Sequence, residues 1–490
     1  MKNKFIRIFL SLTVISLASA CSEDFLEKEP LGDITEDAYF KTESHAIEAT
    51  NAVYRMLRRW EVHVFSYVGM TDIVSDDADK GSTVTDASFL LEIDNLSYNS
   101  TNIAPQTVWG GYYQGIHRAN VAITRIPEID MDENLKNRLI GESKFLRAYF
   151  YLNLVRWFGD VPLNIEPLTP DKFVQPRTPK AQVYAQIIKD LEEAAAVLPL
   201  TYPNTDKGRA TKGAANGMLA RVYMTLGDFA KMEQKALEVI NSGTYALYPD
   251  YAKLFQYEGE LSSESIFEVV TTPDDQGLGG SQYNEVQGVR GVPNLGWGFN
   301  RPSDDLIKAY EPGDPRREAT VLYVGEVLPD GSAVVEDNPE IVNERYSQKA
   351  WVPRRADGAN GSGGGNIRIL RYADILLMAA EALNENGKSQ EALTYLNQVR
   401  TRARGTRPAT VLPNVVITDK AQLRQKIWQE RRIELALEQH RWFDLIRQGR
   451  VAAVMKAVGK NFQEGKNELF PIPQTEVDIS GGVITQNPNY

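Results

Sequence analysis

Cysteine is all but missing: Cys21 is the single one among 490 residues. One thiol makes no intramolecular disulfide and no thiolate metal cluster. Histidine is scarce as well. The four present, His45, His63, His117 and His440, form neither a His-x-x-x-His pair nor a Glu-flanked one, so each reads as structural or exposed and no metal or other cofactor is expected. No Gly-x-Ser-x-Gly elbow occurs, which leaves acyl transfer without its nucleophile. Positive charge is in deficit, with 54 Lys and Arg against 65 Asp and Glu and a formal charge of −11. That balance argues against nucleic acid, whose capture needs clustered cations and counterion release. Beyond the N-terminal leader no run approaches the ~18 apolar residues of a membrane-spanning helix. Glycoside hydrolysis stays open on composition alone, because carboxylates are plentiful and only their separation in space decides.

The remainder is that of a globular chain, with 42% apolar and 9% aromatic residues, enough for a large core. The length prior allows about three domains, although one helical array can run as long. Met1-Lys2-Asn3-Lys4 and Arg7 give a cationic start, Ile8 to Leu17 an apolar run, and Ala18-Ser19-Ala20 small residues directly before Cys21. Residues 1–20 therefore read as a secretory signal peptide. Two fates remain for Cys21: an incidental N-terminal residue of a soluble exported protein, or the acylated first residue of a lipoprotein. Its solitary occurrence at the one position where acylation occurs favours the second, and several acyl chains make anchoring stable where one does not.

After a leader to residue 42, helical periodicity predicts elements over Glu43–Arg58 with Ser44 as N-cap, Gln106–Arg125, Glu133–Arg156, Lys180–Val197, Thr211–Leu226 and Phe229–Asn241. The third stops at Phe158-Gly159-Asp160-Val161-Pro162. Ala220, Tyr223, Gly227, Ala236-Leu237 and Asn241 recur as Ala380, Leu383, Gly387, Ala392-Leu393 and Asn397. The second set is four residues shorter after its Gly, about one helical turn. Both resemble tetratricopeptide helical hairpins. Between about 256 and 366 the sequence turns Gly-, Pro- and Asn-rich, with short strand-like pieces at Ile266–Thr271 and Thr320–Val324. Gly361-Ser362-Gly363-Gly364-Gly365 neither follows a strand nor opens a helix and fails as a phosphate cradle. Helices resume at Arg371 and over Lys420–Glu438. The expected fold is mostly α: a scaffold of hairpins carrying a loop-rich insertion.

Trp109, Trp157 and Trp442 lie on apolar helical stripes and read as core. Trp60, Phe89, Trp297 and Trp351 lie in polar or Gly-rich surroundings, where a ring can face the C–H surface of a sugar. In Leu295-Gly296-Trp297-Gly298-Phe299 the glycines admit close backbone or ligand approach. Asp76-Asp77-Ala78-Asp79-Lys80-Gly81 invites a calcium reading, but Ala78 and Lys80 break the alternation of oxygens, and a solvated acidic turn is expected.

The segment Glu142-Ser143-Lys144-Phe145-Leu146-Arg147-Ala148-Tyr149-Phe150-Tyr151-Leu152-Asn153-Leu154-Val155-Arg156-Trp157-Phe158-Gly159-Asp160-Val161-Pro162-Leu163 resembles the signature helix of the SusD/RagB family of outer-membrane nutrient-binding lipoproteins. Arg371-Tyr372-Ala373-Asp374-Ile375-Leu376-Leu377-Met378, Glu430-Arg431-Arg432-Ile433-Glu434-Leu435, Arg441-Trp442-Phe443-Asp444-Leu445 and the ending Phe470-Pro471-Ile472-Pro473 to Gln486-Asn487-Pro488 extend the likeness, in order, over nearly the whole mature chain. Ser22-Glu23-Asp24 is similar to surface-export signals of Bacteroidetes lipoproteins. The resemblance implies one domain over 43–490 with about four tetratricopeptide-like units and a lipid anchor at Cys21 on the outer face of the outer membrane. It implies a seat on a SusC-type TonB-dependent transporter, and capture of an oligosaccharide without cleavage. Family binding residues lie in loops, which by place alone points to Asp77 and Phe89 in the first loop and to Tyr283, Trp297 and Trp351 in the insertion, with Arg290 as a hydroxyl donor. A family member that takes peptides through the same loops is the alternative, and a glycosidase the third. Cys21→Ala is expected to move the mature chain from membrane to soluble fractions; undiminished surface labelling of that variant would refute the anchor.

Overall fold

The computed structural model describes residues 39–272, 280–291, 296–353 and 364–490. The signal peptide, Cys21 and the leader before residue 39 lie outside the described residues, as do Leu295 and Gly361–Gly363. Nine helices of more than ten residues are described: α1 (Glu43–Met56), α2 (Ile103–Arg125), α3 (Glu133–Phe158), α4 (Lys180–Val197), α5 (Lys212–Leu226), α6 (Phe229–Asn241), α7 (Tyr372–Glu385), α8 (Ser389–Arg404) and α9 (Lys420–Glu434). In order they make four pairs, α1–α2, α3–α4, α5–α6 and α7–α8, each packed on the next, with α9 laid against α7 and α8. This is the tetratricopeptide-like arrangement that the hairpin pattern predicts, since each pair has a second apolar face that only a neighbour covers.

The helix ends follow local chemistry. Asn102 caps α2 by accepting from the Ala104 amide, so the helix starts three residues before Gln106, with Pro105 tolerated in its first turn. Asp132, Thr211 and Asp228 cap α3, α5 and α6 in the same way. The cap of α1 is Thr42 rather than Ser44, whose hydroxyl instead donates to Glu48. Gly227, at φ +71°, ends α5 in the left-handed conformation that costs glycine least. Here the hairpin expectation needs correcting. Phe229 and Ser389 each open the following helix two residues after Gly227 and Gly387, so neither turn is shorter. The four-residue offset of the Ala-Leu pair is a slide of one turn along the second helix.

The insertion holds the short strands. β2 (Ser265–Val269) pairs antiparallel with β6 (Ile367–Arg371) and closes its base, and β4 (Val321–Tyr323) pairs with β5 (Arg345–Ser347). β1 (Ala78–Gly81) reaches from the first loop to β3 (Phe299–Pro302), Gly81 opposite Phe299. The first loop, Ser75 to Thr101, thus supplies β1 and a helix, Ser88–Asp94. One core runs through the scaffold and includes Trp109, Trp157 and Trp442; a second, smaller one gathers Val289, Leu322, Leu328, Val335, Ile341, Tyr346 and Trp351 inside the insertion.

What joins the parts is charge buried around α9. Arg371, the last residue of β6, donates to Glu264 and Glu434 at 2.8 and 2.6 Å and to Glu438 at 2.7 Å. Arg402 on α8 also holds Glu264 and Glu434. Arg316, from the insertion, pairs with Asp314, Glu430 and Glu434. Burial alone would raise the Glu434 carboxyl, but Arg402, Arg371 and Arg316 hold it well below the usual range. The Glu434 carbonyl accepts from Arg371, Tyr251 and Lys349, which stops α9 four residues before Glu438; Leu437 and Gln439 follow with positive φ. Three residues before Glu434, Arg431 pairs with Asp374 and Asp444, and Arg221 takes the other Asp374 oxygen. Breaking a buried pair on one side leaves a charge uncompensated at about 3–5 kcal/mol. Asp374→Asn is therefore expected to lower the unfolding free energy by about that amount in urea titration, with Arg221 and Arg431 both deprived; a loss under about 1 kcal/mol would show the pairs to be solvated.

Candidate ligand site on the aromatic face

Three separate segments bring aromatic rings to one place. Trp60 opens a short helix (Trp60–His63) just after α1, Phe65 opens the next (Phe65–Val68), and Phe89 lies on Ser88–Asp94. From the insertion come Trp297 and, on β3, Phe299. The Phe65 ring is the hub, with centroids 5.4 Å from Trp60, 5.3 Å from Phe89, 6.0 Å from Trp297 and 4.7 Å from Phe299. Trp60 and Trp297 lie 5.9 Å apart at 51°. Phe65 and Phe299 are buried, whereas Trp60, Phe89 and Trp297 are only partly buried. A buried pair of rings thus holds three partly open ones, an arrangement that keeps flat apolar surface available at low entropic cost.

The backbone around Trp297 is fixed by glycine. A Cβ on Gly296 would meet the Gly288 carbonyl carbon at 2.3 Å, and Gly298 has φ +77°. The Trp297 amide donates to Glu285 O at 2.9 Å, and the Glu285 carboxyl, raised by burial, is held by the side chains of Gln282 and Trp297. Beside the rings is an open depression of about 550 Å³, lined by Phe65, Asp86, Arg290, Trp297, Phe299 and Asn338 among others. Arg290 donates to Ser82 Oγ at 2.8 Å and Trp297 O at 3.2 Å and pairs with Asp86 at 2.7 Å. Asn338 Oδ1 accepts from the Glu340 amide, leaving its NH₂ group as a donor at the rim. Apolar faces beside a few oriented polar groups are what a ligand with both C–H and hydroxyl surface requires.

Of the residues singled out in the sequence, Trp60, Phe89, Arg290 and Trp297 therefore meet. Three others do not. Asp77 is buried, its Oδ1 2.8 Å from Arg432, while Asp76 accepts from Nε and Nη2 of Arg441, both at 2.7 Å. The acidic turn is thus not solvated, because cations from α9 and the helix after it (Arg441–Arg447) neutralise it. Tyr283 is buried with its hydroxyl on Gln439 Oε1 at 3.1 Å. Trp351 is 3% exposed and belongs to the small core of the insertion. Phe65, Asp86, Phe299 and Asn338 went unforeseen. Phe65 sits in the apolar run Val62-His63-Val64-Phe65 and reads as core, and nothing local marks Asp86 or Asn338. Among the described residues no group of His, Cys, Asp and Glu could hold a metal ion, and no helix is long and apolar enough to cross a membrane.

Comparison with known proteins agrees with this architecture. A sequence pattern described as "SusD family" matches residues 263–490, and one described as "Starch-binding associating with outer membrane" matches residues 24–224. A SusD-like protein, P2, of Formosa agariphila is 30% identical over 518 aligned positions, covering 100% of both chains. This chain belongs to the SusD family. Among solved SusD-like structures, a laminarin-binding protein is 32% identical with TM-score 0.78, covering 92% of this chain and 100% of its own. Surface glycan-binding protein A of Bacteroides thetaiotaomicron, solved in complex with laminarihexaose, is 25% identical with TM-score 0.78 and the same coverage. Within this SusD fold the two kinds of tryptophan separate by stability. Trp351→Ala is expected to lower the unfolding free energy by about 3–5 kcal/mol, and Trp60→Ala by less than half as much, since its ring is already partly in water; equal losses by thermal unfolding would refute the assignment.

Proposed function

We propose that this SusD-family chain is a non-catalytic cell-surface lipoprotein, anchored through Cys21, that captures a glycan and delivers it to a SusC-type TonB-dependent transporter of the outer membrane. The observation that carries the proposal is the convergence of Trp60, Phe89 and Trp297 about the buried Phe65, with Arg290, Asp86 and Asn338 at the margin. The open tryptophan faces stack on the apolar faces of sugar rings, and the margin reads hydroxyls: Asn338 as donor, Asp86 as acceptor, Arg290 as a donor held in place by its ion pair. A laminarin-type oligosaccharide is the first ligand to test, because one similar structure is of a laminarin-binding protein and another is a complex with laminarihexaose. The depression is open rather than enclosed, which suits a ligand that must leave again for the channel. It presents one carboxylate among its described lining residues, Asp86, already engaged by Arg290, where glycoside hydrolysis takes two.

Titration calorimetry with laminarihexaose is expected to give saturable binding that falls at least about tenfold in Trp297→Ala, a loss of about 1.4 kcal/mol or more, and changes little in the surface variant Glu391→Gln. Release of reducing ends on long incubation would refute the non-catalytic reading. Binding to peptides alone across a mixed ligand panel would refute the glycan one.

A further inference from the structure

A second cavity lies on the helical scaffold and shares no lining residue with the aromatic face. It measures about 310 Å³ and is bounded by Trp109, Tyr113 and His117 on α2, by Phe173 in the loop before α4, and by Glu476 near the C-terminus. Phe173 is 64% exposed, and its neighbour Val174 and nearby Ile165 are 46% and 45% exposed, so the mouth carries apolar surface that no described residue covers. The walls are aromatic: Trp109 and Tyr113 lie 5.0 Å apart. Tyr113 is fixed by its hydroxyl bond to Pro162 O at 2.8 Å, and Asn120, at the floor, by bonds to the carbonyls of Asn164 and Glu166 at 2.9 and 3.1 Å.

Glu476 is the unbalanced element. Its carboxyl is half-buried and held by the Trp109 side chain, and burial raises its affinity for a proton. No Lys or Arg pairs with it among the described residues, although most buried carboxylates of this protein have such a partner. Glu166 adds a second carboxylate at the rim, and the chain as a whole is acidic at −11. Aromatic walls around a carboxylate that lacks a cation are the requirements for receiving a guanidinium, which stacks on rings and forms charge-assisted bonds to carboxylates.

We infer that this cavity receives an arginine side chain presented by a partner protein, with its guanidinium on Glu476 and its stem against Trp109, Tyr113 and Phe173. The exposed Phe173 and Val174 then lie at the edge of the same contact, as an apolar rim around a charged anchor. The site is independent of the glycan reading, since none of its residues lines the aromatic face.

The test uses the full chain and capped arginine, N-acetyl-arginine methylamide, with the citrulline analogue as a neutral control of the same shape. Binding followed by calorimetry or ligand-observed NMR is expected to saturate with arginine and to be weaker by at least about tenfold with citrulline. Glu476→Gln, which keeps an acceptor for Trp109, is expected to abolish that preference and to leave binding of laminarihexaose unchanged; Phe173→Ala is expected to weaken arginine without altering thermal stability. Equal binding of arginine and citrulline, a preference that survives Glu476→Gln, or no saturation at all would each overturn the inference.

Discussion

The rest of the structure depends on the neutralisation of buried charge around a single helix, α9. Successive residues of Glu430-Arg431-Arg432-Ile433-Glu434 point to different clients: Glu430 and Glu434 to Arg316, Arg371, Arg400 and Arg402, Arg431 to Asp374 and Asp444, Arg432 to Asp76, Asp77 and Asp305. The 3.6-residue period separates these clients around the helix. One face grips the insertion, another the scaffold, a third the first loop. Isolated ions would cost several kcal/mol each in such surroundings, so each is tolerable only with its partners present. The fold of the first loop and of the insertion is therefore coupled to the integrity of a helix that contributes no residue to the lining of the aromatic depression.

That coupling positions the aromatic face. Asp76 and Asp77 tie the first loop to α9 and to Arg441, and β1 then runs from this anchor to pair with β3, placing Gly81 opposite Phe299. Arg290 crosses back to Ser82 and Asp86. The two loops that bear the rings are thus stapled by strand pairing on one side and an ion pair on the other. Residues that looked like ligand contacts in the sequence, Asp77 and Trp351 above all, turn out to hold those loops in place.

The scaffold was legible because its signals are local. Apolar spacing at 3.6 residues, capping side chains such as Asn102 and Asp132, and the glycine of each hairpin turn act within a few residues, so helices α2 to α6 fall close to where periodicity puts them. The motif likeness pointed to the family for a related reason: its polar positions, Asp374, Arg431, Glu434 and Asp444, are buried ion pairs in which a change on one side leaves a charge uncompensated. The site was only partly legible. A tryptophan between glycines, as at Trp297, is a local signal of open surface, whereas Trp351 has no flanking glycine and is buried by partners as distant in sequence as Val289.

By itself, then, the sequence determined the helical hairpins, the α-rich class, the kinship and the kind of side chain available for sugar contact, since each rests on short-range pattern or on motifs read in order. Only the tertiary structure decided which aromatics meet, because that depends on Phe65 serving two loops more than 200 residues apart in the chain. It also decided that the acidic run at Asp76 is a buried anchor rather than a solvated turn. The charges that settle the matter, Arg432 and Arg441, lie over 350 residues away, and electrostatics acts through space rather than along the chain.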